Sequence, residues 1–220
     1  MSRTFVTCAA IIGLTIGLSS QAIASGMGDQ ADQASTVIER FRDMPERGIP
    51  EAVLRDAKGL AVLTVFKAGF WFTGQGGRGV VIARTPHGWS GPSAIGTGGV
   101  GFGPQIGAEV SELVLVLNTP EAVNAFARGA NVTLGGDLSV AAGPIGRDMG
   151  ARLMPVAAVY TYSRSQGLFA GVAAEGTVIA TRDGANRDYY GRDVTTKAIL
   201  SGRARPPRDA DKLRVALAGR

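Results

Sequence analysis

The sequence predicts an α+β fold in which about seven short strands form a sandwich or barrel and helices pack at its flanks. Three observations point there. Apolar β-forming segments alternate with breaks of glycine, proline or asparagine between residues 60 and 181. Apolar residues at helical spacing lie before and after this region. Residues 69–107 hold 13 glycines, one histidine, no cysteine and no acidic residue, a composition that suggests a shape that binds more than a pocket that reacts.

The amino terminus reads as an export signal. Arg3 supplies a positive start, residues 5–18 an apolar stretch, and Ala22-Ile23-Ala24 a small-x-small cleavage pattern. The stretch is shorter than the roughly 20 residues needed to cross a bilayer, so cleavage after Ala24 and a periplasmic or secreted location are expected. The signal would occupy residues 1–24. Cys8, the one cysteine of the chain, falls in the removed segment, which excludes disulfides and thiol chemistry in the mature protein.

The first expected helix has Ala31, Ala34, Val37, Ile38 and Phe41 on one face, opposite Asp29, Asp32, Glu39, Arg40 and Arg42. Pro45 and Gly48 end it. A short second helix starts at Pro50, which a first helical position tolerates, and closes at Gly59. The expected strands are 60–66, 79–85, 113–117, 138–142, 156–162, 168–173 and 177–181. The run Leu113-Val114-Leu115-Val116-Leu117 is apolar at both parities, so this strand should be buried on both faces. Pro86-His87-Gly88 forms a turn. One helix interrupts the series, with Thr119 as its cap, Pro120 at its first position and Gly129 past its end. After the strands, 193–200 and 208–218 fit short helices, the second aligning Leu213, Ala216 and Leu217.

Charge is divided unevenly. The formal net charge is +5. Residues 25–191 carry 14 basic against 15 acidic side chains, while 192–220 carry 8 against 3, so the excess lies in 192–220, which ends in a basic tail over 204–220. A nucleic-acid domain would place its basic face on the folded body, and this body is neutral. No nucleic-acid partner is expected.

Two glycine motifs, at 74–79 and 96–101, match the spacing G-x-G-x-x-G. Dinucleotide binding needs that turn to open a helix whose positive end meets the pyrophosphate. Here the first runs into strand 80–83 and the second into Phe102-Gly103-Pro104, so neither does. His87, the only histidine, sits in an exposed turn and lacks the partners of a catalytic triad. One histidine without mature cysteine excludes a zinc site of the usual kind. Glu109 and Glu112 form a carboxylate pair, but surface acids are too common for it to indicate acid–base chemistry. No enzyme activity, metal or cofactor is expected.

Six blocks then carry a family resemblance: KAGFWFTGQGGRGVVIAR, WSGPSAIGTGGVGFGPQIGAEV, LVLVLNTPEAVNAF, VTLGGDLSVAAGPIGR, YSRSQGLFAGVAAEGTVI and ANRDYYG. In this order they resemble the SYLF domain, a lipid-binding domain that is also described in yeast as an actin-binding module. The likeness covers about residues 30–203, giving a domain at 25–203, and is closest in kind to secreted bacterial members. It implies a compact antiparallel β-barrel-like core with flanking helices, and binding of anionic phospholipid or a related amphiphile at a membrane surface. The alternative is a structural or adaptor protein that binds a protein partner, as the eukaryotic members bind actin.

The lipid-contacting residues follow from chemistry. Cations meet headgroup phosphate while aromatic rings enter the interfacial layer. Lys67, Phe70 and Trp71, with Arg78 and Arg84 nearby, fit that pattern, although strand alternation would also send Phe70 inward. The first helix is too acidic for a basic membrane helix. Arg203, Arg205, Arg208, Lys212 and Arg214 in the tail form a further anionic-surface candidate; a solvated tail is the other reading.

Overall fold

In a computed structural model that describes residues 26–44, 48–129, 131–144, 157–167 and 177–218, helix α1 spans Met27–Asp43. Its start is held by the Gly26 N–H, which donates to Asp29 Oδ2 at 3.1 Å, and Arg40 and Arg42 stand in the last turn, where the helix dipole favours cations. The predicted face is the buried one: Ala31, Ala34, Val37, Ile38 and Phe41 all pack inward. Helix α2 (Glu51–Asp56) follows, and Pro50 is its N-cap instead of its first residue.

The main departure from expectation lies in the glycine-rich region. The segments 60–66 and 79–85 are not separate strands but the two ends of one, β1 (Gly59–Thr85). After the small strand β2 (Gly88–Trp89), strand β3 (Ser93–Leu117) runs back along it. The pair forms a single antiparallel ladder from Gly59↔Leu117 to Val81↔Ser93, with one irregularity between Phe70 and Phe72. Glycine has low strand propensity, which is why 69–79 and 93–107 read as breaks. A ladder needs only backbone N–H and C=O groups, however, and pairs such as Gly76↔Gly98 supply them without side chains.

The same glycines let β1 double back on itself. The Arg84 N–H donates to the Lys58 carbonyl at 2.8 Å, tying the far end of the strand to the residue just before its start. Between these ends, a Cβ on Gly79 would stand 1.8 Å from the Val62 carbonyl oxygen. No other residue fits that approach.

Further strands extend the sheet in the order β2-β1-β3-β6-β5, where β5 is Val140–Ala142 and β6 is Val159–Gly167. Strand β7 (Val178–Thr181) pairs with the first part of β3 and with the small strand β4 (Val132–Thr133). The β5–β6 pair is parallel, from Val140↔Val159 to Ala142↔Thr161, which corrects the all-antiparallel expectation. A parallel pair needs a connection that carries the chain back to its starting edge, and 143–158 is long enough. The expected strand at 168–173 lies outside the described residues.

Around Leu113–Leu117 both faces of the sheet are covered, as the sequence pattern predicts, whereas the ladder around Gly74–Gly76 and Gly98–Val100 is exposed. Val62, Val80, Ile82, Val114 and Val116 face α1, α2 and the last helix. Leu63, Val81, Ile95, Leu113, Leu115 and Leu117 face Phe126 of α3 (Pro120–Ala127) and Leu200 of α5 (Thr196–Leu200). Fully burying side chains such as Ile38, Phe41 or Phe126 contributes about 1.5–3 kcal/mol each. The caps at Thr119 and Thr195 are both made, each hydroxyl accepting a backbone N–H at 3.2 Å.

Helix α4 (Asp183–Tyr190), which the sequence pattern did not predict, stops at Gly191 in the left-handed conformation, φ 64°. The carboxyl-terminal segment forms a 3-10 turn (Arg208–Ala210) and helix α6 (Asp211–Ala218). Leu213, Ala216 and Leu217 are buried as their alignment predicts. Lys212 pairs with Asp32 of α1 at 2.8 Å, and Arg42 of α1 donates to the Ala216 carbonyl, so this segment is packed on the body and not solvated.

Candidate functional site

Of the cations proposed from the sequence, Lys67, Arg78 and Arg84 lie along β1, and the others lie between α5 and the end of α6. Lys67 is half-buried in β1, opposite Glu109 in the register. Phe70 and Trp71 lie in β1 by backbone, with side chains outside the described residues. Arg84 donates to the carbonyls of Ala57 at 3.1 Å and Leu54 at 3.2 Å, and its guanidinium sits 4.3 Å from the Trp89 ring. Those contacts tie up the carboxyl end of α2 and make Arg84 a part of the scaffold. Lys212 is engaged by Asp32, and Arg214 donates to the Trp89 carbonyl at 3.2 Å. Arg203, Arg205 and Arg208 are exposed along one short stretch between α5 and α6.

Glu109 and Glu112 are both buried, and their opposite parity in β3 sends them to opposite faces. Glu112 is held between Arg40 of α1 and Arg164 of β6, the latter at 3.3 Å. Glu109 accepts the Ser111 hydroxyl at 2.8 Å. The two carboxyls therefore cannot act on one substrate atom, and Glu112 serves to lock α1 to the sheet.

Arg78 meets a residue that sequence reasoning missed. It stands directly across from Gly96, which in turn pairs with Ala180 of β7; cross-strand partners share a face. Arg182, two residues beyond Ala180, returns over the same row, its Cδ 3.1 Å from where a Gly96 Cβ would be. Burial first, and the like charge of Arg78 second, pull the Arg182 guanidinium below its usual range. Its Nη1 is buried with no hydrogen-bond acceptor. Beside the pair runs a groove of about 340 Å³ lined by Gly96, Gly98, Asn131, Val178, Ala180 and Arg182. In sequence Arg182 is one surface cation among many. Only the register, which puts 78, 96 and 180 in one row, singles it out.

A larger open cleft of about 700 Å³ lies between α3, α4 and α5. Arg128, Arg187 and Lys197 line it with Asp183 and Asp193, and Arg187 and Asp193 are 3.8 Å apart. At its base is a buried polar cluster. Asn186 accepts from the Ala94 N–H at 2.7 Å and donates to Ser93 Oγ at 3.0 Å and Thr196 Oγ1 at 3.4 Å. This amide and the two hydroxyls join three elements, and Thr196 Oγ1 also donates to the Asp183 carboxylate at 3.5 Å.

Comparison with known proteins places the chain in a family. Residues 98–220 match the family model Ysc84, described as "Las17-binding protein actin regulator". The chain is similar to the human SH3 domain-containing YSC84-like protein 1, with 47% identity over 199 residues that cover 87% of this chain and 58% of that protein. The Xenopus laevis protein of the same name is 46% identical over 200 residues, covering 87% and 60%. LAS seventeen-binding protein 3 of Saccharomyces cerevisiae is 51% identical over 170 residues, covering 75% and 37%. The chain thus spans less than two thirds of the length of these relatives.

Proposed function

Because this chain belongs to the Ysc84 family, we propose that it is a non-enzymatic binding module whose main partner is a protein. The observation that carries the reading is the match of residues 98–220 to a family described as Las17-binding actin regulators, with 51% identity over 75% of this chain to a yeast protein named for binding LAS seventeen. The geometry is in keeping with it. A two-sided core leaves surface clefts for recognition, and the cleft between α3, α4 and α5 presents both charges, as polar docking surfaces do. The test is direct binding in lipid-free buffer of the purified chain to filamentous actin and to Las17. Saturable binding to either supports the reading; binding to neither rejects it.

Adhesion to anionic phospholipid is the second reading, favoured by the three exposed arginines at 203, 205 and 208. Each cation near an anionic surface contributes about 1 kcal/mol. Co-sedimentation with liposomes should rise with anionic lipid and fall with salt; equal binding to neutral vesicles removes the mechanism. The amino-terminal pattern adds export with cleavage after Ala24 to the proposal. Sequencing the amino terminus of the cell-derived protein tests it, and an intact Met1 or Ser2 start overturns it.

A further inference from the structure

We propose that the cleft between α3, α4 and α5, together with the groove beside β7, binds an extended acidic peptide segment of a protein partner. This rests on the reading of the chain as a protein-binding module and adds the chemistry of what is bound. Charge is the first ground. Three cations from the three helical elements line the cleft: Arg128 at the end of α3, Arg187 of α4 and Lys197 of α5. The two acids that line it are already engaged, since Asp193 lies 3.8 Å from Arg187 and Asp183 accepts the Thr196 hydroxyl at 3.5 Å. Arg128 and Lys197 are exposed, and among the described residues no acid pairs with either.

The second ground is Arg182. It lines the groove of about 340 Å³, its Nη1 is buried without an acceptor, and no acid among the described residues pairs with it. A guanidinium partly withdrawn from water and left without a counter-charge is costly to the folded chain. A carboxylate seated in the groove supplies that charge. Arg182 is then the anchor of the site, and Arg128 and Lys197 are its outer contacts.

The third ground is shape. Both openings draw their walls from the same two stretches of chain, 127–131 and 178–183. A Cβ on Gly129 would stand 4.0 Å from Thr181 Oγ1, so these stretches lie against each other. A single small anion fills one opening, whereas a chain with acids a few residues apart serves both. A flat bilayer meets protruding cations, and Arg182 is half-buried in a recess. Val178 at the groove and Val194 in the cleft offer apolar contact to residues between the acids.

The experiment measures fluorescence anisotropy of a labelled peptide of alternating glutamate and alanine on addition of the full chain, beside its glutamine counterpart. Saturable binding of the acidic peptide alone, weakening with added salt, is expected. Arg182→Gln and Arg128→Glu should each weaken it about fivefold or more. Arg128→Glu changes an exposed side chain and keeps the test sound should Arg182→Gln fail to fold. Arg55→Glu, which reverses the same charge at an exposed position of α2 that lines neither opening, should leave binding near that of the parent. No binding, equal binding of both peptides, or a loss in Arg55→Glu as large as in Arg128→Glu overturns the proposal. So does Arg128-dependent sedimentation with phosphatidylserine vesicles in a chain that ignores the acidic peptide, which would make the site a membrane contact. If actin or Las17 binds the parent and both site variants equally while the acidic peptide does not bind, this site is overturned and the protein-binding reading stands. Arg182- and Arg128-dependent peptide binding in a chain that binds neither protein supports the site and removes only those two partners.

Discussion

The side-chain oxygen of Asn186 accepts the backbone N–H of Ala94 at 2.7 Å, with Asn186 fully buried. One residue of α4 thereby closes an otherwise open amide at the start of β3, and its own N–H groups are taken by Ser93 and Thr196. Asn186→Leu keeps the volume and removes every partner. Stranding a buried donor costs about 1–3 kcal/mol, and two hydroxyls lose a partner as well. Urea denaturation of this variant should show a loss of about 2–4 kcal/mol; a loss under 1 kcal/mol, as at an ordinary surface site, contradicts the assignment.

The glycines of β1 should separate into two classes. Gly79→Ala drives a methyl group into the Val62 carbonyl, 1.8 Å away, whereas Gly76→Ala enters open space. The first should destabilise the fold by about 3 kcal/mol. The second should change it by no more than about 0.5 kcal/mol. Thermal melting compares them, and equal effects would mean that β1 does not double back.

Stability should decline at high pH through two tyrosines. Tyr162 donates to the Pro144 carbonyl at 3.0 Å and Tyr190 to the Pro92 carbonyl at 2.9 Å. Burial is the main force pushing both phenols above their ordinary value; Tyr160 adds to it at Tyr162, while at Tyr190 Arg192 opposes and Asp209 adds. Above pH about 10 the unfolded chain releases these protons and the folded one keeps them. The stability they contribute is thus complete below that pH and lost as pH rises towards the folded values, by up to about 1.4 kcal/mol per pH unit for each. Urea midpoints between pH 8 and 11 measure the slope, and Tyr190→Phe should make it shallower. An unchanged slope would count against a buried neutral phenol there.

Removal of residues 208–220 distinguishes a packed helix from a charged tail. Leu213 and Leu217 share one apolar cluster with Ile38 and Phe41 of α1. Their loss should cost at least about 3 kcal/mol and lower the melting temperature. A truncated chain as stable as the parent would show that the segment only adds charge.

Much of this fold was legible locally. The buried face of α1, the cap and proline that start α3, the turn at Gly88 and the two-sided burial at 113–117 all follow from patterns within a few residues, because periodicity and caps are short-range physics. The glycine-rich stretches were not legible. Gly74–Gly79 lacks the side chains by which strands are recognised, and its strand state comes from pairing with residues distant in sequence, from Gly74↔Val100 to Gly79↔Ile95. Helix α4 was missed for a similar reason: DGANRDYY is polar but for Ala185 and its tyrosines, and what fixes it is the burial of Asn186 against β3. Of the site residues, Arg78 was visible as a cation beside glycine. Arg182 was not, since nothing near it in sequence marks it.

The sequence by itself determined the family, the α+β class and which helix faces turn inward, because residue type and short spacing carry that information. The tertiary structure alone decided what each cation touches. Arg84 and Lys212 are spent on a helix end and an ion pair, while Arg182 is drawn over Gly96. That choice depends on strand register and on side chains meeting across long stretches of chain, and a charge in sequence acquires a role only when its neighbours in space are fixed.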